Sequence, residues 1–174
     1  MTPKSGPRFS AKVMPEKKLA RFRHVLDAAD PARIHALIAA TGVFSAEEAR
    51  VAGELAETTL DGTETYRWLI AEAGGELMGY TCFDRIPLSK VSFDLYWIAV
   101  SPAARGTGLA AELMARTAKF IRAKRGTQIF AETSSREPYA PARAFYLKSG
   151  FEEAARFADF YEPGDDKVVF RLKL

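Results

Sequence analysis

The run Trp97-Ile98-Ala99-Val100-Ser101-Pro102-Ala103-Ala104-Arg105-Gly106-Thr107-Gly108-Leu109-Ala110 joins an apolar strand to a helix that begins with small side chains. Between them lie a proline-marked turn, Arg105 and two glycines. Such a junction aims several backbone N–H groups at one point, with the positive end of a helix dipole behind them. Its chemistry is phosphate binding. A P-loop would place Lys-Ser/Thr directly after the last glycine, and no lysine follows Gly108. The dinucleotide fingerprint is matched only weakly by Gly106-Thr107-Gly108-Leu109-Ala110-Ala111. The pattern Arg-x-x-Gly-x-Ala, read at Arg105, Gly108 and Ala110 after a strand ending in Val-x-Pro, fits without strain. Small residues there let the backbone approach a ligand closely, although glycines also serve ordinary tight turns.

The elements that must hold this loop can be read in order. Arg21 to Leu26 alternates weakly and predicts an edge strand, with His24 on its face as a structural residue. Asp30-Pro31 predicts a helix start with Asp30 as the cap, and Gly42 ends that helix. Ser45-Ala46-Glu47-Glu48 has the spacing of a capping box and opens a second helix, Ala46 to Thr58. Two helices after one strand predict a lid across a sheet. Tyr66 to Glu72 and Leu77 to Asp84 form a hairpin around Ala73-Gly74-Gly75, and Phe93 to Val100, apolar on both faces, is a central strand covered by helices. A helix follows the loop and ends before Gly126; then come a strand over Thr127 to Glu132 and a short helix over Ala140 to Ser149. Strands Phe151 to Phe157 and Val168 to Leu174 close the chain around the turn Glu162 to Asp166. The order β-α-α-β-β-β-α-β-α-β-β mixes hairpins with crossovers, so the expected fold is α/β (α+β) around a mixed sheet.

Composition bounds the partners. At 174 residues, 48% hydrophobic and 27% charged, the chain is expected to be one soluble domain with a real core. No apolar run is long enough to span a membrane, and the start lacks the apolar centre of a secretion signal, so a cytoplasmic protein is the default. Cys82 is the only cysteine, which excludes an intramolecular disulfide and a cysteine-based metal cluster, and no metal site is expected. Residues 1–18 hold Lys4, Arg8, Lys12, Lys17 and Lys18 against Glu16; of the net charge of +3, +4 lies there and −1 in the rest. That segment is expected to be a flexible basic leader, with residues 19–174 forming the domain. The body has no basic stripe interleaved with aromatics, which argues against a nucleic-acid partner.

A second motif lies about 40 residues further on: Ala142-Arg143-Ala144-Phe145-Tyr146-Leu147-Lys148-Ser149-Gly150-Phe151. Together with the Arg105 to Ala110 loop and the element order, it resembles the GNAT superfamily of N-acetyltransferases over residues 19–174. The first motif is similar to that family's acetyl-coenzyme A signature. The second is similar to its A-x-x-(F/L)-Y-x-x-x-G-F segment. The resemblance implies the acyl-CoA N-acyltransferase fold, a largely antiparallel sheet flanked by helices. It also implies acetyl-CoA as cofactor. Pantetheine would pair with the backbone of Ile98, Ala99 and Val100, and the pyrophosphate would sit on Arg105, Gly106, Thr107, Gly108, Leu109 and Ala110, with the Arg105 side chain adding charge.

The same resemblance implies the acid and the base. An amine of pKa about 10 must lose a proton before it attacks, and the departing thiolate must gain one. Tyr146 stands at the family's acid position. Glu132, ending the strand after the phosphate-binding helix, stands where relatives keep a base; a structural salt bridge is the competing role, and Asp94 on the neighbouring strand is the second candidate. One departure stands out: where many relatives carry an asparagine, this chain has Tyr139, which would line the acceptor pocket. The loop between the last strands offers Asp159, Tyr161, Asp165 and Asp166, suited to a cationic amine, so a small-molecule amine or amino acid is the expected acceptor. Protein, peptide or RNA-associated acetylation and a non-catalytic acyl-CoA-binding module stay open as alternatives. A homodimer is left open by the frequency of dimers among relatives.

Overall fold

The computed structural model describes residues 20–174, so the basic leader expected over residues 1–18 lies outside the described residues. One seven-stranded sheet organises the chain: β1 (Arg21–Arg23), β2 (Arg67–Ala73), β3 (Glu76–Arg85), β4 (Ser92–Val100), β5 (Gln128–Ser134), β6 (Glu152–Glu162) and β7 (Asp165–Lys173). Their order across the sheet is β1-β2-β3-β4-β5-β7-β6, and only β4 and β5 run parallel. This is the mixed, largely antiparallel sheet that the order of hairpins and crossovers predicts. No helix of the described residues is long and apolar enough to cross a membrane.

Helices cover both faces. On one lie α1 (Asp30–Thr41) and α2 (Ala46–Leu60), whose Ile34, Leu37, Ile38, Ala49, Ala52 and Ala56 pack on Trp68, Ile70, Tyr80, Cys82 and Ala99. The other face carries α3 (Leu109–Ala123) and α4 (Ala140–Lys148), which bury Leu113, Met114, Ile121 and Tyr146 against Phe83, Phe93, Ile129 and Phe170. A buried hydrogen bond between Thr81 and Thr117 (2.8 Å) ties β3 to α3. The capping box forms as read: Glu48 N donates to Ser45 Oγ (3.1 Å) and Ser45 N to the Glu48 carboxylate (2.7 Å).

Several expectations are corrected. The first strand stops at Arg23, because that side chain turns inward to grip Asp30 through both carboxylate oxygens (2.7 Å each) and to reach Glu72 (2.8 Å). Asp30 is therefore no cap. Ala29 holds that position, and the fully buried Asp30 carboxylate also accepts from Asp27 N (2.8 Å). The last two strands are longer than read, with Asp165 and Asp166 inside β7 rather than in a turn. An irregularity around Asp159 (φ 52°), opposite the gap between Lys167 and Asp165, lets β6 resume pairing at Glu162. The helical cover of β4 is also incomplete. A bulge leaves Tyr96 without a partner between the pairs Cys82–Trp97 and Phe83–Leu95, and Tyr96 emerges 40% exposed.

Candidate active site

The decisive geometry is a parting of strands. β4 and β5 pair from Ser92–Gln128 to Leu95–Ala131 and then diverge, so the β4 edge from Tyr96 to Val100 faces open space instead of β5. Parallel strands need regular register to stay paired, and the extra residue at Tyr96 breaks it on the one side while β5 turns to follow β7 on the other. A groove of about 1240 Å³ fills the opening, walled by Ile98, Ala99 and Val100 on one side and by Glu132, Tyr139 and Tyr146 on the other.

At one end of the groove lies the loop between β4 and α3. A 3-10 turn, Pro102–Ala104, leads into Gly106 (φ 73°) and Gly108 (φ 85°), and Gly108 caps α3. Nothing lies within 4 Å of where a Cβ would stand on either glycine. Left-handed backbone with that space above it is a concave seat, and a side chain would both strain and fill it. Among the described residues, the N–H groups of Gly106, Gly108, Ala110 and Ala111 have no backbone partner. These residues fit a pyrophosphate. The Arg105 side chain, on the groove wall, donates from Nη2 to the Thr41 carbonyl (2.7 Å) at the C-terminal end of α1, which braces the loop and leaves the guanidinium charge unpaired with any carboxylate among the described residues. Leu109 packs into the core, leaving only its backbone to the seat.

Tyr146, on α4, sits where the groove narrows. Its ring packs against Phe145, Phe151 and Phe170 at centroid distances of 5.7, 5.2 and 5.4 Å, and burial pushes its hydroxyl pKa up to about 12. It is thus neutral and able to donate at physiological pH. Glu132 reaches the groove from β5 with its side chain half exposed and pairs with Lys167 Nζ at 2.6 Å. Asp94, half-buried on β4, is not on the groove wall; burial, then the nearby Glu132 carboxylate, raises its carboxyl above the usual range, opposed by Lys167.

The far end of the groove is polar and aromatic. Tyr139 donates to both oxygens of Glu48 (2.8 and 3.0 Å), and burial, then this bond, holds its hydroxyl well above the ordinary tyrosine range. Phe44 stacks edge-on against Tyr139 (6.0 Å) and leans on Trp97 (5.3 Å). Tyr161 also lines this end, whereas Asp159 does not: its carboxylate accepts from Gly164 N (2.7 Å) and its own N–H donates to Asp166 (3.1 Å), both inside the hairpin. Asp166 is further paired with Arg156 (3.2 Å). Asp165 is buried and accepts from Ser134 Oγ (2.5 Å). Sequence reasoning missed Glu48, Phe44, Arg136 and Glu162 as wall residues. The capping box marks Glu48 as a helix residue but carries no signal of its second partner, 91 positions away.

Charge on the wall is uneven. Glu132 faces Lys167 and Glu162 faces Arg136 (2.9 Å), while Glu48 and Asp165 hold only neutral donors among the described residues. At that part of the wall Glu48 and Asp165 therefore face no paired cation among the described residues.

Comparison with known proteins agrees with this geometry. The family model described as "Acetyltransferase (GNAT) family" matches residues 31–151. A solved protein from Desulfovibrio desulfuricans, described as a GNAT-family acetyltransferase, is 36% identical, with 89% of this chain covering 99% of that one at a TM-score of 0.85. The ribosomal-protein-S18-alanine N-acetyltransferase of Escherichia coli is 17% identical over 89% of this chain and 94% of that one, with a TM-score of 0.68. An aminoglycoside 6'-N-acetyltransferase complexed with coenzyme A is 12% identical over 88% of this chain and 96% of that one, with a TM-score of 0.69. The last two likenesses bear on the fold alone. No curated protein matches the sequence.

Proposed function

The chain belongs to the GNAT acetyltransferase family, and from that premise we propose that it moves an acetyl group directly from acetyl-CoA to a primary amine of a small molecule or amino acid. One observation carries the reading: the open β4 edge runs between a phosphate seat at one end and, at the other, a wall bearing Tyr146 and Glu132. An added strand of ligand can pair with that edge, which places its reactive end beside both side chains.

Acetyl-CoA supplies the thioester carbonyl carbon, to which the amine nitrogen bonds as the carbon–sulfur bond breaks. Glu132 takes the proton that the bound ammonium sheds before its lone pair can attack, and the second N–H proton, released as the amide forms, passes through solvent to restore the acid. Tyr146, kept protonated by its burial, gives the departing thiolate its proton. No cysteine lines the groove, and Cys82 is buried within β3, so the acetyl group passes without a thiol relay. A cationic acceptor is supported by Glu48 and Asp165, which face no paired cation among the described residues, and by the Tyr161 ring.

The test is thiol release from acetyl-CoA over a panel of diamines, amino acids, aminoglycosides and peptides. Turnover with small cationic amines and none with peptides is the expected result. Acceptance only of peptide N-termini or lysines overturns the substrate class. Tight coenzyme A binding without transfer to any amine overturns the enzyme reading in favour of a binding module.

A further inference from the structure

Lys167 is a partly buried cation that the reaction as derived so far does not use. It lies on β7 opposite Ser134, while Glu132 lies opposite Val169 on the same pair of strands. The two side chains therefore meet diagonally, on the face of the sheet away from α3 and α4. The Lys167 side chain is 18% exposed against 50% for Glu132, so the lysine is the anchored member and the glutamate the one that reaches outward. Its ammonium is held from two sides, by Glu132 Oε2 at 2.6 Å and by the Phe160 ring at 4.5 Å from the centroid. Glu132 keeps half of its side chain in solvent, and an ion pair with one such member contributes little to stability, so folding alone is a weak reason for this arrangement.

We propose that Lys167 is a positioning residue for acetyl transfer: it clamps one oxygen of Glu132 so that the other is presented to the acceptor amine in the groove. The inference rests on the reading of Glu132 as the base. The closest approach of the pair is Lys167 Nζ to Glu132 Oε2 (2.6 Å), and the carboxylate has a second oxygen, Oε1, that can take the proton of the ammonium that must be deprotonated. Asp94 supplies the competing negative charge: its carboxyl lies within electrostatic reach of both residues, and Lys167 is the one cation paired with Glu132 among the described residues. Phe160 holds the lysine in turn by cation–π attraction.

The test is a double-mutant cycle on the full chain, with Lys167→Met, Lys167→Arg, Glu132→Gln and the Lys167→Met/Glu132→Gln pair. For each, kcat and KM for the best amine of the panel, the Kd for coenzyme A and the urea midpoint are measured. Methionine is unbranched like lysine and carries no charge, so the variant is expected to fold. Misplacing a reacting group costs up to about a hundredfold, so Lys167→Met is expected to lower kcat by about tenfold to a hundredfold with coenzyme A affinity unchanged. Lys167→Arg restores part of the loss. The double variant is no slower than Glu132→Gln alone, because the lysine acts only through the glutamate. Multiplicative losses, or full kcat in Lys167→Met while Glu132→Gln is slow, overturn the proposal and leave the base intact. Full kcat in Glu132→Gln removes the base, and the proposal with it, while the transferase reading stands on the wild-type turnover.

Discussion

Replacing Gly79 by alanine tests whether the open β4 edge is the cofactor's seat. Gly79 pairs with Val100 across β3 and β4, and an added Cβ would stand 2.8 Å from the Ala99 carbonyl oxygen, 3.0 Å from Val100 Cγ1 and 3.1 Å from Leu113 Cδ1. Ordinary contact begins near 3.4 Å, so the backbone oxygen must retreat by 0.6 Å, and a strand edge cannot bend away as a flexible side chain would. Overpacking of this kind costs about 1–3 kcal/mol. In a domain of this size each kcal/mol lowers Tm by about 2–4 °C. The displaced carbonyl faces β3 and shares its peptide plane with the Val100 N–H, which faces the open edge and would pair with pantetheine; loss of one such hydrogen bond is worth about 1 kcal/mol, or roughly fivefold in Kd. Gly126→Ala is the control: its Cβ would stand 2.3 Å from Ile121 Cγ2 and 2.7 Å from Phe93, inside the core and off the groove wall. Titration calorimetry with coenzyme A and urea denaturation should show both variants destabilised and only Gly79→Ala weakened in binding. Equal affinities in the two variants, at comparable loss of stability, would refute the assignment of the β4 edge to the cofactor.

Tyr146→Phe is expected to lower kcat by about a hundredfold to ten-thousandfold, as removal of a general acid does, with coenzyme A affinity unchanged by isothermal titration. Because burial raises the Tyr146 pKa to about 12, its acid form persists below that value, and kcat in the wild type should show no alkaline decline near pH 10, about where a free phenol ionises. A decline there would mean that another group donates the proton. Tyr139→Phe breaks the bridge to Glu48 across the groove and should raise the acceptor KM several-fold while leaving coenzyme A binding alone, measured by initial rates at saturating cofactor. Thr81→Val strands the buried Thr117 hydroxyl and should cost about 1–3 kcal/mol, whereas Thr81→Val with Thr117→Val should recover much of that loss in urea midpoints.

What the sequence made legible was local. The capping box, the Gly42 stop and the Arg105 to Ala110 loop are each written within a few residues, and each forms where expected. The pairing of Tyr139 with Glu48 and of Lys167 with Glu132 was not legible, because neither partner carries a mark of the other and only the closed sheet brings them together. Asp30 misled for a related reason: its position before Pro31 suits a cap, but a buried arginine offers its carboxylate two charged hydrogen bonds. The Tyr96 bulge leaves no trace in an apolar strand, and β6 and β7 were read short because Asp159, Gly164 and the carboxylates around them resemble an open turn.

The parting of β4 from β5 has a mechanical meaning. Four residue pairs and the Thr127–Val91 backbone bond are all that join the two halves of the sheet strand to strand, while a shared core under α3 and α4 holds them from one face. A ligand that pairs with the free edge acts as a missing strand and closes the sheet on itself. Occupancy should then be written in the backbone: where the open β4 edge offers its amides to the groove, between Trp97 and Val100, their hydrogens should exchange freely without cofactor and slow sharply with it. Amides of Ile70 and Ala71 in β2, where that strand is paired on both sides, should not change.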